Sequence, residues 1–253
     1  YNLGSALSFM NMIPYLGKVY DESDIWFNFG LIDKAPTFDQ VIQDWDAKMA
    51  TDPSNEKFQA FELGVNFSSN DGTMASKINF YSTQWKDRIQ TKTAQYAGDS
   101  TDDVIIYLTG INQAHSGVEV EFAAQVHPMV RVDLNAGLGN WFFTDDASGS
   151  YRDGADDVSY SYALKDLKVG DMPQTNVAFG LTTTPVEGLS VQLLYRFYSN
   201  HTADWSPSSR EYTTGNEDNA DRKPSFVTPS YGVLDLHGNY DLPIEFGSIK
   251  PKL

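Results

Sequence analysis

Strict alternation of apolar and polar positions is the main signal along this chain of 253 residues. It is clearest from His115 to Phe143. Val118, Val120, Phe122, Ala124 and Val126 alternate with Glu119, Glu121, Ala123 and Gln125. After His127-Pro128, Val130, Val132, Leu134, Ala136 and Leu138 alternate with Arg131, Asp133, Asn135, Gly137 and Gly139. Successive side chains of a strand point to opposite faces, so the pattern predicts a β-hairpin with one apolar face and one polar or small face. The same pattern marks strands over 24–31, 56–69, 73–90, 102–126, 129–143, 173–184, 189–198 and 230–240, with a possible break near Gly110. A less regular apolar stretch opens the chain at Tyr1 to Gly17, and a truncated strand starts at Gly247. That makes about ten strands in all. Phe38 to Trp45 reads as a short helix, and Asn70-Asp71-Gly72 as a tight hairpin turn.

The connections between these strands are sorted. Turns near Tyr20, Asp71, Pro128, Pro185 and Pro243 are tight, whereas those after Leu31, Gln90, Phe143 and Tyr198 are long and polar. Thr144 to Gly170 reads as a long acidic loop and Ser199 to Pro229 as a second polar loop. Outer-membrane barrels have short turns on the periplasmic side and longer extracellular loops, whereas a soluble sandwich has no reason to sort its connections. The expected fold is therefore all-β, a transmembrane antiparallel up-and-down β-barrel seen in part. Aromatic residues gather near strand ends at Trp26, Tyr81, Trp85, Trp141, Phe142, Phe143, Tyr195, Phe197 and Tyr198, a placement that suits interfacial girdles. The plainer explanation is that aromatics favour any sheet.

Composition narrows the function. The net charge of −16 makes nucleic acid and anionic membrane surfaces poor partners. There are no cysteines, which excludes disulfides and thiolate metal sites. No run of about 18 apolar residues could form a transmembrane helix, and a mean hydropathy of −0.39 does not argue against strands that hide their apolar face in alternation. His115, His127, His201 and His237 have no ligand-spaced partners, so no metal or cofactor site is expected on them. No serine lies in a nucleophile elbow, and the chain does not read as an enzyme. The acidic run Asp153 to Asp157 has oxygen ligands suited to Ca²⁺ but no EF-hand spacing; a solvated loop is the better reading, as it is for Asn216 to Asp221.

Several strings resemble the barrel of TonB-dependent outer-membrane receptors, and look most like those of Bacteroidota. They are Asn55 to Gly64, Asn79 to Arg88, Gly110 to Glu121 (with its Gly-Val-Glu core), Asp171 to Thr175 and Pro229 to His237, with Lys34 to Phe38 fitting a loop after an earlier strand. The resemblance covers nearly the whole chain in family order. It implies the C-terminal part of a barrel of about 22 strands. The family's plug domain, TonB-contacting box and closing strand find no counterpart in residues 1–253, so the sequence reads as a piece of a longer protein. It also implies energy-coupled uptake of a scarce nutrient such as a siderophore, haem, a cobalamin or an oligosaccharide. The implied partners are outer-membrane lipid, the protein's own plug and the TonB–ExbB–ExbD complex.

Glu62, Glu119, Glu121, Arg131, Asp133 and Arg196 fall on the polar positions and are the candidate lumen-facing residues. They would either line a substrate path or, the reading the sequence favours, hydrogen-bond to a plug and to lumen water. A passive porin or structural barrel is the alternative to an importer. A soluble β-sandwich, its apolar faces packed on each other, is a third reading.

Overall fold

The computed structural model describes residues 2–8, 23–43, 48–49, 54–95, 103–153, 156–213, 215–217 and 220–242. In chain order they form β1 (Asn2–Ser8), β2 (Asp24–Lys34), a one-turn helix α1 (Phe38–Val41), β3 (Ile42–Gln43), β4 (Lys48–Met49), β5 (Glu56–Ser68), β6 (Met74–Gln95), β7 (Asp103–His127) and β8 (Val130–Phe143). Then follow β9 (Ala147–Asp153), β10 (Asp156–Tyr162), β11 (Pro173–Val186), β12 (Leu189–Thr202), β13 (Glu211–Tyr212), β14 (Val227–Thr228) and β15 (Tyr231–Tyr240). The long strands form one antiparallel meander, in the order β1, β2, β5, β6, β7, β8, β11, β12, β15. The predicted turns at Tyr20 and Pro243, and the strand expected from Gly247, lie outside the described residues.

Register turns the sequence alternation into two continuous faces. On one, Ile25 pairs with Val65, Val65 with Ile78, Ile78 with Val120, and Val120 with Ala136. A parallel row runs Phe122, Leu134, Phe179, Tyr195, Leu234. Nothing among the described residues covers this face: Phe61, Phe80, Leu138 and Leu236 are 47%, 49%, 53% and 73% exposed. An apolar surface this continuous is not stable in water and fits lipid contact. Among the described residues no second layer packs against this face, unlike the packed apolar faces of a soluble sandwich. No helix among the described residues is long and apolar enough to cross a membrane, which says nothing of strands.

Several elements differ from the sequence expectation. The helix stops at Val41; Asp44 and Trp45 lie outside the described residues. Strand β7 runs through the expected break. Gly110 takes φ +67°, and the register with β6 slips around Arg88, so the chain bends without ending the strand. The aromatic residues do not form one girdle. Phe142, Tyr195 and Phe197 share the parity of the apolar face, while Trp26, Tyr81, Trp85, Trp141 and Tyr198 share that of the polar face. Nearness to a strand end does not fix the face; parity does.

The largest difference is at the long-loop end. The stretch expected to be an acidic loop holds the hairpin β9–β10, whose β9 also pairs with the extension of β7. Beneath it Leu108, Ile111, Phe143, Ala147, Tyr162, Leu164, Leu167 and Trp205 form a buried cluster. Spaced irregularly among Asp, Ser and Gly, these residues give neither strand nor helix period, and the cluster is assembled from three separate segments. Asp146 ties its two loops. It accepts hydrogen bonds from the amides of Leu164 (3.1 Å) and Lys165 (3.0 Å), from the Tyr212 hydroxyl (3.1 Å) and from both Arg222 terminal nitrogens (2.9 and 2.7 Å). The Arg222 hydrogen bonds foremost, against an opposing desolvation, hold the Asp146 carboxyl at about 2.

This tie gives a first prediction. The lowered pKa means that the Asp146 contribution is complete above about pH 4 and is lost as pH falls toward about 2. Spin labels at Ser148 and Glu217 should keep a narrow distance distribution at neutral pH and broaden over that acid window. Asp146→Ala should broaden it at pH 7 and speed exchange of the Leu164 and Lys165 amides. An unchanged distribution in the variant would show that the apolar cluster alone holds the loops.

Candidate functional site

All six candidate residues lie on the polar face, but they divide into two groups. Toward the short turns Arg131 grips Asp133 through Nη2 and Nε at 2.7 and 2.9 Å, Lys77 approaches Glu121 at 3.9 Å, and Arg196 Nη2 reaches Asp235 at 2.6 Å. These are local ion pairs between neighbours on the same strand or across one strand pair. Glu62 and Glu119 belong to the second group, higher on the wall. They line a cavity of about 380 Å³ with Asn79, Tyr81, Thr83, Trp85, His115 and Trp141.

The sheet register builds this site. In successive pairs Glu62 opposes Tyr81, Tyr81 opposes Gly117, and Gly117 opposes Gly139. One rung up, Thr83 opposes His115 and His115 opposes Trp141; one rung down, Asn79 opposes Glu119. The glycines leave room for the rings. A Cβ at Gly117 would sit 2.5 Å from the Tyr81 hydroxyl oxygen and 2.6 Å from the Leu138 carbonyl oxygen. Tyr81 therefore lies across bare backbone, where its hydroxyl accepts a hydrogen bond from Trp141 Nε1 at 2.8 Å.

The rings continue along the wall. Phe58 and Trp85 are 4.7 Å apart, Trp85 and His115 6.4 Å, and His115 and Trp141 5.7 Å between centroids. Polar anchors hold both ends. Trp85 Nε1 donates to buried Glu56 at 3.2 Å, and Lys34 meets the same carboxylate at 3.3 Å. Arg88 stands over the Trp85 ring, 4.4 Å from its centroid, and donates to Gln113 Oε1 at 3.3 Å. The carboxylates are oriented by amides: Asn28 Nδ2 donates to Glu62 at 3.2 Å and Asn79 Nδ2 to Glu119 at 3.1 Å. The site offers stacking surfaces and hydrogen-bond acceptors. It holds no nucleophile paired with a base, and no group of three metal-ligating side chains occurs among the described residues.

Trp85, Trp141, His115, Glu56 and Gln113 were not among the candidates. Trp85 and Trp141 were read as girdle residues and His115 only as a non-ligand. Counting by twos from Glu119 along β7, and from Tyr81 along β6, would have placed His115 and Trp85 on the polar face. The acidic run Asp153 to Asp157 lies outside the described side chains.

A family model described as "TonB dependent receptor-like, beta-barrel" matches residues 3–250. The chain belongs to that family. It is thus part of an outer-membrane barrel that crosses the bilayer by strands, in a family of transporters, not enzymes. The sheet is similar to the copper transporter OprC (14% identity, TM-score 0.60), covering 86% of this chain and 30% of that one. It is similar to the pyoverdine outer membrane receptor FpvA from Pseudomonas aeruginosa PAO1, solved bound to pyoverdine (15% identity, TM-score 0.55), over 94% of this chain and 29% of that one. The ferric-catecholate import receptor Fiu from K12 E. coli matches at 12% identity and TM-score 0.58, over 94% and 28%. At these identities the likeness is one of fold. The chain spans under a third of the length of each of these structures. No curated protein sequence matches significantly.

Proposed function

We propose that this chain is the C-terminal portion of the barrel of an energy-coupled outer-membrane importer. Its polar face lines the lumen. The observation that carries this is the division of the meander from β2 to β15 into one apolar and one polar face, with a packed loop layer at the long-connection end among the described residues. Long connections at one end and short turns at the other match the outside and periplasmic sides of an outer-membrane barrel. The two groups on the polar face take different roles. The ion pairs Arg131–Asp133 and Arg196–Asp235 sit low, where a plug domain and lumen water meet the wall. The aromatic and acidic site opens higher, toward the loops that first meet a substrate. The cargo belongs to the scarce-nutrient class: siderophore, haem, cobalamin, metal chelate or oligosaccharide. Coupling runs through TonB–ExbB–ExbD and segments outside residues 1–253. The barrel binds and guides, and catalyses no covalent step. The strings quoted above support a Bacteroidota-like member.

A liposome-swelling assay on the full-length protein separates this from a passive pore. With arabinose as the solute, the importer should give no swelling above protein-free liposomes, and it should bind the purified C-terminal domain of TonB. Rapid swelling with no TonB binding would establish the porin reading instead.

A further inference from the structure

We infer that the cavity walled by Tyr81, Trp85 and Trp141 receives a cationic, hydrogen-bond-donating organic group of the transported molecule. The inference rests on the reading that the polar face lines the lumen, and concerns what that face selects.

Charge is the first argument. Glu62 and Glu119 both line the cavity, and no lysine or arginine does. The nearby cations are committed elsewhere. Arg88 is engaged by the Trp85 ring and by Gln113, and Lys77 is held toward Glu121 one rung below. A carboxylate, catecholate or phosphate entering here would meet two like charges and no lysine or arginine in the lining. An ammonium, guanidinium or pyridinium would be attracted by both.

Hydrogen-bond inventory gives the second argument, independent of charge. Both indole donors around the cavity are spent, and each carboxylate already holds one amide donor. Trp141 Nε1 is used by Tyr81, Trp85 Nε1 by Glu56, Asn79 Nδ2 by Glu119 and Asn28 Nδ2 by Glu62. Acceptors remain. One oxygen of each carboxylate carries no side-chain donor, and Asn79 Oδ1 is buried without a partner among the described residues. The donors that remain are the second amide hydrogens of Asn79 and Asn28, the buried Gln113 Nε2 and the rotatable hydroxyls of Tyr81 and Thr83. A ligand that complements this wall brings donors.

The rings supply the third argument. A tryptophan face binds a cation within about 6 Å of its centroid, and Arg88 already uses Trp85 in this way. A neutral polyol would satisfy the acceptors but leave the paired negative charge uncompensated.

The test uses the full-length protein in detergent micelles, with 1-methylpyridinium as the cationic probe, benzoate as its anionic counterpart and maltotriose as a neutral polyol. Calorimetry should show saturable binding of 1-methylpyridinium alone. The double variant Glu62→Gln/Glu119→Gln, shown to be folded by its heat-modifiable mobility in gels, should bind it about tenfold more weakly or worse. Saturable benzoate or maltotriose binding that is lost in Trp85→Ala would overturn the inference. So would 1-methylpyridinium binding that is absent, or that is unaffected by the double variant. Thr83→Cys, probed in vesicles with a water-soluble maleimide, separates the two levels. Labelling without cation binding refutes the ligand class alone, whereas protection from labelling refutes the lumen-facing assignment beneath it.

Discussion

Replacing Leu134 with arginine is expected to cost about 2–4 kcal/mol of barrel stability near the bilayer midplane and to block insertion of most of the full-length protein. Leu134 lies midway along β8, paired with Phe122 on one side and Phe179 on the other, inside a continuous apolar row of the sheet. The arginine would have to carry its charge into hydrocarbon or pull water and headgroups down to it. Its neighbour Asn135 points to the other face, opposite Glu121 and Ala178. Asn135→Arg should therefore insert normally. The contrast between adjacent residues, read by heat-modifiable mobility and urea unfolding, removes strand propensity as an explanation. Equal damage from both substitutions would show that the two faces are not differently solvated.

Substituting Gly117 with valine should be the most damaging small change on the polar face. Even a Cβ there would meet the Tyr81 hydroxyl at 2.5 Å and the Leu138 carbonyl at 2.6 Å. The tyrosine can swing away, but the carbonyl is main chain in the β7–β8 ladder and moves only with the strand. Overpacking of this kind costs about 1–3 kcal/mol, and the displaced Tyr81 loses its bond from Trp141. The site should be lost before the fold. A Gly117→Val/Tyr81→Ala double variant removes one clash and leaves the other, so it should recover only part of the stability and none of the ring-walled site. Full recovery of stability would mean that the Leu138 carbonyl yields easily.

Much of the sheet was legible because a strand's period of two is carried by the residues themselves. Ile25 to Leu31, Phe61 to Phe67 and Val118 to Leu138 alternate cleanly, and the register confirms their common face. The face shared by Glu62, Glu119, Glu121, Arg131, Asp133 and Arg196 followed from the same count. The loop cluster did not, because Phe143, Leu164 and Trp205 come from separate segments and meet only in the folded loops, which Asp146, Arg210 and Arg222 help to tie. Arg210 illustrates the point. It is 4% exposed and donates to the carbonyls of Asp221 and Lys223, a buried role that nothing in its polar neighbourhood suggests. The ring-walled site was half legible. Its carboxylates were found by alternation, but Trp85 and Trp141 were assigned by position along the strand and not by parity.

The central claim is that the two faces of one strand meet different solvents. The most direct measurement places nitroxide labels singly at each position from Val130 to Leu138 in a cysteine-free background of the full-length protein, reconstituted in bilayers. Collisions with oxygen, which partitions into lipid, and with a water-soluble nickel chelate are then compared. The account predicts a period of two with the reagents out of phase: oxygen peaks at Val132, Leu134 and Ala136, and nickel peaks at Arg131, Asp133 and Asn135. Oxygen and nickel accessibilities rising and falling together would contradict it, since both faces would then share one solvent.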